Sequence, residues 1–151
     1  MKAKVYAAYG SNMNIQQMKR RCPNAQVIGT GELTGYTLTF RGKQNGVANV
    51  ERQSEGVVPV VLWHITQDCE KALDRYEGYP RLYEKKNVTV GTKIGEQEAM
   101  LYVMAEEYEA MPALPHERYL EMIRQGYRDH DLNTMVLEQA VENAKAKVDS
   151  L

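Results

Sequence analysis

The chain has 151 residues, of which 43% are hydrophobic and 26% charged, with a formal net charge of −1. Such a length suits one domain with a buried core, expected here over residues 1–151, and the composition excludes a disordered chain. The near-neutral charge leaves no field to hold a nucleic acid or a membrane surface, so neither partner is expected.

Lys4 to Gly10, "KVYAAYG", reads as a short buried strand. It feeds a two-turn helix, "NIQQMKRR", with Asn14 as its cap and Pro23 stopping the chain beyond it. Lys19 to Arg21 is the one dense basic run and reads as a solvated helix face. "AQVIGTGEL", "YTLTFRG", "GVANVER" and "GVVPVVLWHI" are four strand-like segments separated by glycines, with Pro59 marking an edge or a bulge.

A helix follows, "TQDCEKALDRYEG". Thr66 is its cap, Cys69, Ala72, Leu73 and Tyr76 share one face, and Gly78 is its C-terminal stop. "LYEKKNVTV" and "QEAMLYVM" are two further strands. "HERYLEMIRQG", opened by Pro115 and closed by Gly126, packs on Leu120 and Ile123. The last helix, Asn133 to Val148, carries Leu137, Ala140, Val141, Ala144 and Val148 on one stripe. Strands outnumber helices and several are consecutive. An α+β fold with a largely antiparallel or mixed sheet, curled toward a barrel, is therefore expected over a doubly wound parallel sheet.

Two cysteines, Cys22 and Cys69, form neither a C-x-x-C pair nor a disulfide framework at this length. No window approaches the ~18 apolar residues of a membrane span, and a soluble cytoplasmic protein is expected. Ten tyrosines against one Phe and one Trp suggest a core or cleft with polar rims. His64, His116 and His130 lack metal-ligand spacing and read as satisfied or solvated residues. Neither a nucleophile elbow nor a phosphate-binding glycine loop is present.

Two places carry chemistry. The turn after Tyr9, Gly10-Ser11-Asn12, leaves backbone N–H groups unpaired at a positive helix end, where Gly10 would let an anion approach. On the turn alone, capping by Ser11, Asn12 and Asn14 is the simpler reading, because strand–turn–helix junctions with these residues are common. The second is Glu77, at the negative end of its helix with Asp74 one turn behind it and tyrosines on either side. Helix end, like charge and burial all raise its pKa, the direction that suits a general base near neutrality. The alternative is a solvated Glu balanced by Arg75 or Arg81.

Together these segments resemble the γ-glutamylcyclotransferase family. "YGSNM", Tyr9 to Met13, is similar to its opening signature. Its second signature, L-D-x-x-E-G-x-P-x-x-Y, is matched by Leu73, Asp74, Glu77, Gly78, Pro80 and Tyr83. "GVVPVVLWHIT" resembles the strand leading into the Glu-bearing helix, and "PHERYLEMIRQG" the downstream P-x-x-x-Y helix start. The resemblance implies a small mixed, largely antiparallel β-barrel flanked by helices, with a cleft at its mouth. It implies release of 5-oxoproline and a free amine from a small-molecule γ-glutamyl substrate, with no cofactor and no metal. The substrate's own α-amine would attack its γ-carbonyl, so the protein need supply no nucleophile. Carried over, Glu77 is the general acid/base. Tyr9, Gly10, Ser11, Asn12 and Met13 form the substrate-binding turn, and Tyr83 and Tyr119 line the site. A non-catalytic binding module on the same fold is the alternative expectation.

Overall fold

The computed structural model describes residues 4–108 and 111–151. Five strands close into a barrel: β1 (Lys4–Ala8), β2 (Gln26–Arg41), β3 (Val47–Ile65), β4 (Tyr83–Thr92) and β5 (Gly95–Met104), in the order β1-β3-β2-β4-β5. Every neighbouring pair is antiparallel except β1 with β5, which meet in parallel at Tyr6 and Met100. Around the barrel lie α1 (Ile15–Arg21), α2 (Gln67–Glu77), α3 (Glu117–Asp129) and α4 (Met135–Asp149). The expected mixed, largely antiparallel barrel is the fold.

The four central strand segments are two long strands. Gly42 and Gly46 do lie between β2 and β3, but Gly35 and Gly56, expected to separate strands, sit at an irregularity within the β2–β3 ladder, where the register shifts between Thr34 and Tyr36. Gly35 has φ +83, a conformation that lets β2 kink without ending it. Pro59 pairs with Glu32 on β2, two residues beyond the last β1 partner, Val61. Its missing N–H therefore faces no β1 ladder, as an edge proline requires.

Val60, Val61, Leu62 and Trp63 are all buried, so this part of β3 is covered on both faces. Leu73 of α2, Ile123 of α3 and Leu137 of α4 are fully buried in the same core. Thr66 accepts from the Cys69 amide at 3.2 Å, and Gly78 ends α2 in the left-handed region, φ 66. Both are the caps the sequence suggested.

Two expectations are corrected. Gly126 does not end α3 but lies inside it. An added Cβ there would stand 2.8 Å from the Asn14 nitrogen and 2.8 Å from the Met13 Cβ, so the glycine is where α3 presses on the turn after β1. Cys22 and Cys69 are joined in a disulfide across 47 residues, tying the end of α1 to the first turn of α2, with Cα atoms 5.0 Å apart. Contact made by the fold, not sequence spacing, unites them.

The Tyr127 hydroxyl is buried with no partner among the described residues. A polar group so placed costs free energy that Phe avoids. Tyr127→Phe is expected to raise stability by about 1 kcal/mol in urea unfolding.

Candidate active site

One mouth of the barrel is made by the end of β1, the start of β3, the start of β4 and the end of β5. There lies a cavity of about 240 Å³. A 3₁₀ turn, Ser11–Met13, follows β1 directly and closes one side. Its first two N–H groups have no acceptor within the turn, because i→i+3 bonding begins with Met13 N to Gly10 O at 3.0 Å. A Cβ on Gly10 would enter this space, 3.4 Å from Ala48 Cβ and 3.7 Å from the Tyr119 hydroxyl.

Neighbours from far along the chain hold the turn. The Trp63 indole donates to the Asn12 carbonyl at 3.1 Å, and His130 Nε2 lies 2.8 Å from the Met13 carbonyl. The Asn14 side chain caps α1 by accepting from Gln17 N at 3.0 Å, and it donates to the Met122 carbonyl of α3 at 3.0 Å. Capping and cavity formation are thus compatible: Asn14 caps α1 while Gly10, Ser11 and Asn12 line the cavity.

Glu77 reaches the same cavity from the end of α2. The last turn of α2, Gly78 and the short return to Tyr83 bring Glu77 and Tyr83 to the same cavity. Glu77 is the one ionisable carboxyl that lines it among the described residues. Burial pushes its pKa up from 4.5 to about 7, against the Arg21 guanidinium, which draws it down. The expected contribution from Asp74 is not the cause. Asp74 is engaged elsewhere, accepting from the Tyr102 hydroxyl at 2.6 Å and pairing with Lys85 at 3.0 Å. Neither Arg75 nor Arg81 pairs with Glu77.

Tyrosines make up most of the remaining wall. Tyr9 donates to the Tyr102 carbonyl at 2.6 Å and Tyr83 to the Ala48 carbonyl at 2.5 Å. The Ala48 N–H donates to the Tyr119 hydroxyl at 2.9 Å. Tyr76, at the rim, shares a 2.9 Å hydrogen bond with Ser11 and lies under the Arg21 guanidinium, 3.6 Å from its ring centre. Burial raises the pKa of Tyr6, Tyr9, Tyr83, Tyr102 and Tyr119, so all five remain neutral hydroxyls.

Glu77, Tyr9, Gly10, Ser11, Asn12, Tyr83 and Tyr119 therefore line one cavity. Met13 does not. It is fully buried, its side chain turned against Gly126 by the tight twist of the 3₁₀ turn. Tyr79, expected to help bury Glu77, faces Lys85 and Tyr102 instead. Tyr6, Tyr102 and Ala48 line the cavity without having been singled out in the sequence. The tyrosine excess was the one signal for the first two, and Ala48 had none.

Comparison with known proteins shows the family and the fold. A model of the family "Gamma-glutamyl cyclotransferase, AIG2-like" matches residues 6–121. The chain is similar to the γ-glutamylcyclotransferases of Bos taurus and Homo sapiens, each 26% identical over 137 residues that cover 85% of this chain and 72% of the relative. It is also similar to a solved structure of a γ-glutamyl cyclotransferase, with TM-score 0.80 and 28% identity, over 97% of this chain and 88% of the other. No helix among the described residues is long and apolar enough to cross a membrane. With the family match spanning both the Gly10 turn and Glu77, the chain belongs to the γ-glutamyl cyclotransferase, AIG2-like family.

Proposed function

We propose that the protein is a cyclotransferase that releases 5-oxoproline and a free amine from a γ-glutamyl amide. One observation carries the reading: a carboxyl whose pKa is raised to about 7 shares a cavity with an amide-bearing turn and has no ion-pair partner among the described residues. The turn would hold the glutamyl α-carboxylate on its free N–H groups. Gly10 leaves room for that carboxylate, and Tyr9, Tyr83 and Tyr119 shape the wall. Glu77 would take protons from the substrate's α-nitrogen and return them to the departing one. The attacking nitrogen sheds two protons on its way from ammonium to lactam, and the leaving nitrogen gains two. A single carboxylate cycling twice balances the step.

The magnitudes suit so small a machine. Fixing the two ends of one molecule reaches effective molarities of about 10⁵–10⁸ M, and a placed base adds ~10²–10⁴.

Only ionised Glu77 can accept a proton. The kcat/KM is therefore expected to be level above about pH 7 and to fall below it. Incubation with a panel of γ-glutamyl amines and γ-glutamyl amino acids, assayed for 5-oxoproline, tests the reading. Release from at least one of them supports it. Binding without release across the panel would instead identify a non-catalytic binding module.

A further inference from the structure

Six tyrosines line the cavity, and each hydroxyl has one hydrogen to place. Tyr9 and Tyr83 give theirs to backbone carbonyls, Tyr102 gives its own to Asp74, and Tyr76 shares a bond with Ser11. Two remain. Tyr119 accepts from the Ala48 N–H, and Tyr6 accepts from the Asn12 side-chain amide at 3.0 Å. Neither has an acceptor for its own hydrogen among the described residues.

What distinguishes Tyr6 is the chain of groups behind it. Arg21 Nη1 donates to Asn12 Oδ1 at 2.6 Å. Because a guanidinium only donates, this fixes the orientation of the Asn12 amide and aims its Nδ2 at Tyr6. A positive charge thus polarises an amide, which in turn polarises a phenol. Hydrogen bonds in such a series strengthen one another inside a protein. The hydroxyl at the end becomes a better donor, at a buried position on the cavity that Glu77 lines.

We propose that Tyr6 is a catalytic residue that donates its hydrogen bond to the γ-carbonyl oxygen of the substrate, with Arg21 and Asn12 as positioning residues behind it. As the α-nitrogen bonds to the carbonyl carbon, the C=O pair moves onto oxygen and is held by Tyr6. When the C–N bond to the departing amine breaks, that pair returns to re-form the carbonyl. Glu77 handles the protons and Tyr6 keeps its own. The assignment rests on the cyclotransferase reading.

Tyr6→Phe removes one oxygen. With a γ-glutamyl amide that the wild-type protein turns over, kcat is expected to fall about 10²–10³-fold while KM moves by no more than about threefold. Arg21→Gln is expected to lower kcat about tenfold in the wild-type background and to have no added effect on Tyr6→Phe. That cycle is measured at about pH 9, where Glu77 is ionised in every variant, which removes the direct influence of Arg21 on its pKa. Should Tyr6→Phe fold poorly, Arg21→Gln alone tests the relay, and a kcat at about pH 9 within about twofold of wild type overturns it. If Tyr6→Phe keeps kcat within about threefold of wild type while Glu77→Gln abolishes turnover, the Tyr6 assignment is wrong and the cyclotransferase reading stands. Additive losses in the cycle overturn the relay. Absence of 5-oxoproline release by the wild-type protein across the whole panel removes both proposals.

Discussion

Glu77→Gln is expected to lower kcat by about 10²–10⁴ and, at pH 8, to make the protein more stable than wild type. The first effect follows because Gln fills the same space but cannot accept a proton. The second follows from the same raised pKa. In the unfolded chain Glu77 titrates near 4.5, and in the folded protein near 7. The folded state therefore holds the proton more tightly, and this contribution to stability is fully present below about pH 4.5. It is lost as pH rises to about 7, where the buried carboxyl ionises. Two and a half pH units correspond to about 3 kcal/mol, and some solvent reaches the carboxyl through the cavity, so about 2–3 kcal/mol is the expected gain for Gln at pH 8. Urea unfolding of both proteins at about pH 4 and pH 8 measures it, with the difference confined to the higher pH. Equal stability at both would mean that Glu77 is not desolvated, and unchanged turnover would remove it from the mechanism.

Gly126→Ala tests the packing of α3 on the turn after β1, and here two physical rules predict different signs. Inside a helix, Ala is favoured over Gly by about 1 kcal/mol. At this position a methyl group would stand 2.8 Å from Asn14 N and 3.0 Å from the Met13 backbone carbon, too close for the turn to remain where it is. Overpacking of this kind costs about 1–3 kcal/mol, and the contact is with backbone, which yields less readily than a flexible side chain. A net loss of about 1–2 kcal/mol is expected. The segment that would shift is the turn whose Gly10, Ser11 and Asn12 line the cavity. Displacement by about 1 Å can cost on the order of 10²-fold, so kcat/KM is expected to fall by up to that factor. A stability gain with unchanged kinetics would show that α3 does not set the position of the turn.

Where the signal was local, the sequence could be read with little loss. Thr66 and Gly78 bracket α2 because a hydroxyl cap and a left-handed stop act within one turn, and Asn14 begins α1 for the same reason. Glu77 stood out by breaking a local rule, a carboxylate where the helix end favours a cation. The remaining features depend on residues that meet only after the chain has closed. Gly126 looked like a helix end because glycine usually is one; its neighbours Met13 and Asn14 are more than a hundred residues earlier. Arg21 was read as part of a solvated basic face, yet it reaches Asn12 and covers the Tyr76 ring. Trp63 and His130 hold the turn through its carbonyls, a role no spacing reveals. The glycines of β2 and β3 gave the wrong number of strands because a kink and a break use the same residue.

The barrel has two ends, and everything chemical described above is at one of them. The hairpin joining β4 to β5 is at the other, with Ile94 at its tip 99% exposed. Since β4 runs from Tyr83 at the cavity to Thr92 at this hairpin, the tip is separated from Glu77 by the length of a strand. It is a natural handle: a fluorophore, a surface tether or an inserted peptide placed there would leave the reacting groups undisturbed, so the protein can be immobilised or followed in real time while it works.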